Sequence, residues 1–179
     1  MYQNLNAPTI QTDRLFIRFV DKKDVYEYYK ICSNPSVCRY LTFNPYKSIK
    51  ETSIVIDNMI RAYLQGSDVN LSIILKEENL VIGSISLSFK QYDNSAEVGY
   101  ILNEAYWNKG YMNEALSALI KVCKEYYNLD YLTANYLQDN ISSEKLLLKN
   151  GFNIDEIINN GFIKNNQFYN LVKTSLILK

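Results

Sequence analysis

The chain has 179 residues, of which 47% are hydrophobic and 21% are charged, and this balance predicts one globular domain over residues 1–179. Its 19 basic and 19 acidic residues cancel, which argues against a global attraction to nucleic acid or to an anionic membrane, and no apolar run approaches the ~18 residues of a membrane span. The absence of histidine excludes Ser-His and Cys-His nucleophilic sites, and the six glycines are spaced too widely for a dinucleotide-binding or P-loop motif.

The first predicted elements are a strand and a helix. Apolar and polar side chains alternate over residues ~14–20, which predicts a strand with one buried face. Asp21 is placed to cap a helix, and Asp24 lies near the positive end of that helix. Pro35 is expected to end the helix or the turn that follows it. The inward stripe of this helix comprises Val25, Tyr28, Tyr29 and Cys32.

A second helix and three strands follow. The segment Ser48–Glu51 has the capping-box pattern before apolar residues at helical spacing, and Gly66 closes this helix. Two β-branched runs, Leu71–Lys76 and Leu80–Ser88, are joined by a short polar turn, which predicts a hairpin. Ser95–Leu102 is predicted to form the next strand.

The C-terminal part adds two helices and two strands. In chain order they are an amphipathic helix with the core face Leu116, Leu119, Val122, Cys123 and Tyr126, a strand over Tyr131–Leu137, a helix over Ile141–Lys149 and a closing strand over Phe168–Leu178. Because helices come early and late around a run of consecutive strands, the pattern predicts an α+β fold with a largely antiparallel sheet.

The stretch Trp107–Ala115 predicts a turn that contains one glycine, Gly110, directly before the amphipathic helix. The first N–H groups of a helix have no intrahelical partners and lie at the positive end of the helix dipole, so they can hold a phosphate. Because Ala96–Leu102 has the pattern of a strand, the local unit is a strand, a short connection and an anion-binding turn at the start of a helix.

Six segments share a pattern with a known family: Thr12–Arg18, Asn34–Val37, Glu97–Leu102, Tyr106–Ala115, Asn140–Ser143 and Lys149–Phe152. Together they resemble the GNAT N-acetyltransferases, and specifically the branch that acetylates the N-termini of ribosomal proteins. The resemblance spans nearly the whole chain. It implies the acyl-CoA N-acyltransferase (GNAT) fold, in which helices flank a mostly antiparallel central sheet that is splayed between its fourth and fifth strands.

In the resembled family, the turn before the long helix wraps the pyrophosphate of acetyl-CoA with its N–H groups. The residues that the resemblance assigns to the coenzyme here are Asn108, Lys109, Gly110, Tyr111, Met112 and Asn113, together with the backbone of Tyr100, Ile101 and Leu102. Three positions depart from the family pattern. Met112 replaces a small residue, a change expected to reduce affinity. Asn108 stands where many members have glycine, and Asn170 where the branch usually has aspartate.

Three further side chains are candidates for the chemistry. The family pattern N-x-x-S implies that Asn140 and Ser143 reach the coenzyme and that Ser143 protonates the departing thiolate, although both also suit an ordinary helix cap. Glu97, on the strand beside the expected acetyl site, is the carboxylate chosen as general base, although it also suits an exposed strand position. An α-amine, with a pKa of ~7.7–8.0, needs only a weak or water-relayed base, whereas a lysine amine near ~10.4 is almost always protonated.

These features predict an acetyl-CoA-dependent N-acetyltransferase whose acceptor is the α-amine of a protein or peptide. Two alternatives stay open. One is an acetyltransferase for a small amine, such as a polyamine, an aminoglycoside or an amino sugar, and the other is a non-catalytic module that binds acetyl-CoA. No metal, nucleic acid or membrane partner is expected, and the chain is expected to be a monomer or a homodimer. Three cysteines without a signal-peptide pattern favour reduced thiols and the cytoplasm.

Overall fold

Residues 7–90 and 92–179, which the computed structural model describes, form one eight-stranded sheet and five α-helices. The strands are β1 (Ile10–Gln11), β2 (Leu15–Phe19), β3 (Asp68–Leu75), β4 (Leu80–Phe89), β5 (Ser95–Leu102), β6 (Tyr131–Leu137), β7 (Asn153–Lys164) and β8 (Gln167–Ile177). The helices are α1 (Val25–Cys32), α2 (Pro35–Cys38), α3 (Ile49–Leu64), α4 (Tyr111–Glu125) and α5 (Ile141–Lys149). The strand order is β1-β2-β3-β4-β5-β6-β8-β7. All neighbouring strands are antiparallel except β5 and β6, so the predicted α+β fold with a mostly antiparallel sheet is confirmed.

The parallel strands β5 and β6 separate soon after they begin to pair. Their register ends at the pair Glu97–Thr133, whereas β5 continues to Leu102 and β6 to Leu137. The other edge of β5 stays paired with β4 as far as Leu102. These are the fourth and fifth of the predicted strands, so the expected splay of the sheet is confirmed.

One face of the sheet is covered by α4, whose apolar stripe reaches the main core. The buried residues of α4 are Met112, Ala115, Leu116, Leu119 and Cys123. Burial of each large apolar side chain contributes roughly 1.5–3 kcal/mol to folding. Burial also raises the pKa of the Cys123 thiol to about 12. The prediction that Tyr126 belongs to this stripe is wrong, because α4 ends at Glu125 and Tyr126 is 54% exposed.

The other face carries α1 and α3, which pack over the first strands. Their cluster is centred on Val20, Tyr28, Ile56, Ile74 and Val81. The predicted start of α3 is confirmed, since the Ser48 hydroxyl accepts a hydrogen bond from the Glu51 N–H at 3.2 Å. Within the described residues, no helix combines the length and the apolar character needed to cross a bilayer.

The long strand β7 has no counterpart among the predicted elements. Nearly all of its side chains are exposed, and its register with β8 is irregular between Ile154 and Glu156 and between Ile158 and Phe162. A strand that is exposed on both faces shows no alternation of apolar and polar residues, so periodicity does not reveal it.

Pro35 ends the turn that follows α1, which is one of its two expected roles, and it also begins a further helix, which was not predicted. Helix α1 ends at Cys32, and Pro35 is the first residue of α2, whose N-cap is Asn34. The Asn34 side chain accepts a hydrogen bond from the Ser36 N–H at 2.9 Å. Proline is favoured at the first position of a helix because an N–H group at that position has no acceptor within the helix, so nothing is lost when it is missing.

A buried ion pair joins β2 to the segment before α1. The Arg18 guanidinium donates to both carboxylate oxygens of Asp24, at 2.8 and 2.7 Å, and the Ser72 hydroxyl donates to the same carboxylate at 2.7 Å. Burial by itself raises the pKa of Asp24, which is 3% exposed, but the hydrogen bonds from Arg18, the Asp21 N–H and Ser72 outweigh it, and the pKa is lowered from 3.8.

Replacement of Asp24 by Asn should lower the free energy of unfolding at pH 7 by about 2–3 kcal/mol, because Arg18 then keeps a partly buried charge without its partner. A lowered carboxyl pKa gives stability that is fully present above the unfolded pKa near ~3.9 and is lost as the pH falls through the folded pKa. The difference between the two proteins should therefore shrink in acid. Urea unfolding at several pH values measures it.

The control is Asp57→Asn, which removes an exposed pair with Lys22 and should change the stability by less than about 0.5 kcal/mol. An Asp24→Asn protein as stable as the wild type at pH 7 contradicts the prediction, as does a difference that persists unchanged below pH ~3.

Candidate functional site

The divergence of β5 from β6 opens a cavity of about 480 Å³. Tyr100, Ile101 and Leu102, the last residues of β5, line it. Their backbone is paired with β4 on one edge, and they lie beyond the last pair that β5 forms with β6. The structure thus brings the three predicted β5 residues to the wall of one cavity.

The turn before α4 forms a second wall. Asn108 and Gly110 both have positive φ, 59° and 81°, and both line the cavity. Asparagine tolerates this left-handed conformation better than most residues do, which explains how it occupies a position where many members of the resembled family have glycine. Gly110 is the N-cap of α4 and supplies no side-chain acceptor, so the N–H groups of the first turn keep their capacity to bind a ligand.

Three more predicted residues of this segment, Tyr111, Met112 and Asn113, also line the cavity. The Met112 side chain is 8% exposed and belongs to the main core, so the bulk that was expected to weaken phosphate binding is packed inside the protein. Lys109 is not among the lining residues, and its ammonium lies 5.3 Å from the centre of the Tyr106 ring.

The segment before β2 braces the turn, a contact that was not predicted. The Arg14 guanidinium donates to the Lys109 carbonyl at 3.0 Å and to Glu114 at 2.6 Å, and it lies 4.4 Å from the centre of the Tyr111 ring. The Thr12 hydroxyl also donates to Glu114, at 2.6 Å. Burial raises the pKa of Glu114, but these hydrogen bonds outweigh it and lower the pKa. The only signal in the sequence was the Thr12–Arg18 segment, which had no assigned role.

The start of α5 forms a third wall, to which Asn140 and Ser143 contribute. Asn140 is the N-cap, and its side chain accepts a hydrogen bond from the Ser143 N–H at 3.3 Å. The cap is therefore the Asn140 side chain, while Ser143 contributes only its backbone to it. Burial raises the pKa of Tyr100 to about 12, and a hydrogen bond with the Ser143 side chain acts in the opposite direction. The Ser143 hydroxyl thus lies beside Tyr100 at the cavity.

Glu97 lies apart from the lining residues. Its carboxylate accepts hydrogen bonds from the Lys90 ammonium at 2.9 Å and from the Asn135 amide at 3.1 Å. Glu97 and Ile101 are on the same face of β5, about 13 Å apart along the strand. The structure therefore does not bring Glu97 together with Ser143, and its role as a base stays a prediction.

The last wall consists of α2 and the loop that follows it. Asn34–Val37 is part of the family pattern in the sequence, but no site residue was predicted here. Ser36, Val37, Arg39, Tyr40 and Leu41 line the cavity here. The apolar pattern of this stretch is weak in the sequence. Only its place in the lining of the cavity indicates a role.

Asn170, the third departure from the family pattern, has a structural use. Its side-chain oxygen accepts from the Asn160 N–H and its amide donates to Gln138, both at 2.9 Å. An aspartate accepts the first of these hydrogen bonds but does not donate the second. Within the described part of the chain, no three cysteine, aspartate or glutamate side chains are grouped so as to hold a metal ion.

Comparison with known proteins places these features in a family. Residues 14–153 match the family model described as an acetyltransferase (GNAT) domain. A relative named uncharacterized N-acetyltransferase p20, from Bacillus licheniformis, is 31% identical over 140 residues, 78% of this chain and 79% of that protein. The [ribosomal protein uS5]-alanine N-acetyltransferase of Escherichia coli (strain K12) is 25% identical over 183 residues, 96% of this chain and 92% of that protein.

The fold is shared with solved acetyltransferase structures. The spermidine N-acetyltransferase of Vibrio cholerae, in complex with CoA and spermine, aligns with a TM-score of 0.83 at 15% identity and covers 93% of this chain and 97% of that chain. The family match extends over most of the chain, from β2 to the start of β7. The chain belongs to the GNAT acetyltransferase family, and it is an N-acetyltransferase.

Proposed function

We propose that this GNAT acetyltransferase uses acetyl-CoA to acetylate the α-amine at the N-terminus of a protein or peptide. The observation that supports this most directly is the cavity between the glycine-capped start of α4 and the edge of β5 that has left β6. It offers backbone N–H groups to a phosphate at one end and a free strand edge alongside.

The residues of two walls fit the coenzyme. The N–H groups at the start of α4, from Tyr111 to Asn113, would hold the pyrophosphate, with Asn108, Lys109 and Gly110 shaping the turn. The backbone of Tyr100–Leu102 would bind the pantetheine arm. When bound, acetyl-CoA supplies an acetyl group that is activated as a thioester.

Asn140 and Ser143 would serve the leaving group at the start of α5. Asn140 fixes the first turn of α5 and so holds the Ser143 side chain at the cavity wall. In the transfer, the C–N bond to the amine forms, the C–S bond of the thioester breaks, and the thiolate takes up a proton. The Ser143 hydroxyl would donate a hydrogen bond to that thiolate, which is modest assistance because a thiol pKa near ~8.5 already makes it a fair leaving group.

Glu97 would accept the proton that the amine must lose, through water. Its distance along β5 from Ile101 is too great for direct contact with an amine at the cavity, and Lys90 and Asn135 hold its carboxylate in place. Such a relayed base suits an α-amine, which is already partly neutral near pH 7.

The charges of the cavity favour a peptide α-amine over a polyamine. Among the described residues that line it, Arg39 is the only basic and Glu104 the only acidic one, and the Glu104 carboxylate already accepts a hydrogen bond from Asn34 at 2.8 Å. A polycation is usually met by several carboxylates, whereas this cavity has a balanced charge. The relative that acts on an alanine of ribosomal protein uS5 supports the same acceptor. For the compartment we propose the cytoplasm, in keeping with three free cysteines.

A peptide with a free N-terminus and one lysine should be acetylated at the α-amine at least ~100-fold faster than at the lysine near pH 7. The pKa difference of about 2.5 makes the neutral fraction of the α-amine roughly 300-fold larger, and no strong base in the cavity compensates for it. Mass spectrometry of the product locates the acetyl group, and spermidine and an aminoglycoside are assayed beside the peptide. Predominant lysine modification, or activity with the small amines alone, contradicts the proposed acceptor.

Replacement of Ser143 by Ala should reduce kcat by about tenfold while the coenzyme Kd changes by less than about twofold. Because the Asn140 side chain provides the cap, stability should fall only by the contribution of the lost Ser143–Tyr100 hydrogen bond, about 1 kcal/mol. Steady-state kinetics and calorimetry separate these effects, with Ser117→Ala, at an exposed position of α4, as the control. A variant with normal kcat and reduced stability would instead assign Ser143 to the helix start alone.

A further inference from the structure

A lysine at the end of β7 holds the loop that follows α2. The Lys164 ammonium donates to the carbonyls of Cys38, Leu41 and Phe43, at 2.6, 2.7 and 3.0 Å. These three hydrogen bonds use all the donors of the ammonium group. Burial lowers the pKa of Lys164, as expected for an ammonium that has exchanged water for backbone carbonyls. The residues that it joins are more than 120 positions apart in the chain.

The hairpin turn next to Lys164 makes a second contact with the same loop. The side chains of Asn44 and Asn165 exchange two amide hydrogen bonds, at 3.1 and 3.2 Å. Asn165 and Asn166 both have positive φ, 50° and 63°, as the central residues of a two-residue type I′ turn require. We call the contacts of Lys164 and Asn165 with this loop the hairpin clasp.

The loop held by the hairpin clasp is a wall of the cavity. Arg39, Tyr40 and Leu41 line the cavity, and the Leu41 carbonyl is itself one of the acceptors of Lys164. The loop is neither helix nor strand, so it has no ladder of hydrogen bonds to hold it. Its internal bonds are few, from the Leu41 N–H to the Cys38 carbonyl at 3.1 Å and from the Arg39 N–H to the Ser36 carbonyl at 3.4 Å. The hairpin clasp therefore helps to set its position, together with the packing of Leu41 and Phe43 on a buried cluster and the hydrogen bond from the Tyr46 N–H to the Cys32 carbonyl at 2.9 Å.

In the sequence this wall is separate from the elements that would hold the coenzyme, although its Leu41 and Phe43 share an apolar cluster with Ile101 of β5. The turn at Asn108–Asn113, the edge of β5 and the start of α5 account for the proposed coenzyme contacts, and none of them is bonded to Lys164. The wall also carries Arg39, whose guanidinium lies 5.1 Å from the centre of the Tyr40 ring and which forms no ion pair within the described chain. When the loop is held in place, this wall offers the acceptor a fixed surface that is both apolar and cationic.

We propose that Lys164 is a positioning residue for the acceptor: by holding the 38–43 loop, it sets Arg39, Tyr40 and Leu41 against the amine substrate and leaves the coenzyme contacts unaffected. The inference rests on the proposed function, since the acceptor is the peptide amine. It assigns to β7, which is otherwise exposed, a role in substrate binding.

The test compares Lys164→Met with the wild type by hydrogen exchange and by kinetics. The variant keeps an unbranched side chain as far as Cε and loses all three donors, so the hydrogen-bonded amides of Arg39, Leu41 and Tyr46 should exchange at least ~10-fold faster. The KM for the peptide acceptor should rise about tenfold, while the coenzyme Kd stays within about twofold. Lys164→Arg, which keeps a charged donor, should restore most of the acceptor affinity.

The control is Lys121→Met, which makes the same substitution on the exposed face of α4 and should alter neither exchange nor KM. If Lys164→Met does not fold, Asn44→Ala takes its place in the test. It removes the amide pair without touching Lys164, and it should shift the KM for the acceptor in the same direction. Unchanged exchange of the loop, unchanged KM, or an equal loss of coenzyme affinity overturns the inference. A wild-type protein that acetylates no amine refutes the proposed function and this inference together, whereas an active Lys164→Met protein with normal KM refutes the inference alone.

Discussion

The structure of the site depends on the point at which β5 and β6 stop pairing. Backbone N–H and C=O groups in a sheet need partners, and beyond Glu97–Thr133 those on one edge of β5 have no partner strand. The start of α4, which lies beside that edge, has the same property because the first N–H groups of any helix are unpaired. Two sets of backbone groups thus lie at one cavity, where the Leu102 carbonyl already accepts a hydrogen bond from the Trp107 indole at 2.8 Å. A ligand with a phosphate and an extended amide chain can satisfy both sets.

A site made from the backbone needs other groups to keep its walls in place, and here two of the four walls are held by a cation from a distant part of the chain. Arg14 ties the turn before α4 through the Lys109 carbonyl and Glu114. Lys164 ties the opposite loop through three carbonyls. Charge-assisted hydrogen bonds to carbonyls suit this purpose, because they are stronger than neutral ones and leave the lining side chains free. Under the proposed function, Arg14 would support the coenzyme wall and Lys164 the acceptor wall.

Local patterns in the sequence were enough for most elements, and the family resemblance indicated residues that line three of the cavity walls. Gly110 before an amphipathic stripe identified the start of α4, and alternation identified the strands that have one buried face. β7 lacked this pattern because both of its faces are exposed, and Pro35 was interpreted only as a stop signal, whereas it is also the first residue of α2. The bracing contacts were not predictable for a different reason. Arg14 and Glu114 are 100 residues apart, and no periodicity relates residues so distant in the chain.

The most direct measurement of this arrangement is a pair of calorimetric titrations of the wild-type protein, one with acetyl-CoA and one with S-acetylpantetheine, which lacks the pyrophosphate and the 3′-phosphoadenosine attached to it. If the N–H groups at the start of α4 hold the pyrophosphate, two or more charge-assisted hydrogen bonds are lost with the shorter ligand, and its affinity should be at least ~100-fold lower. Equal affinities for the two ligands, or no binding of acetyl-CoA, would contradict the assignment of this turn to the coenzyme.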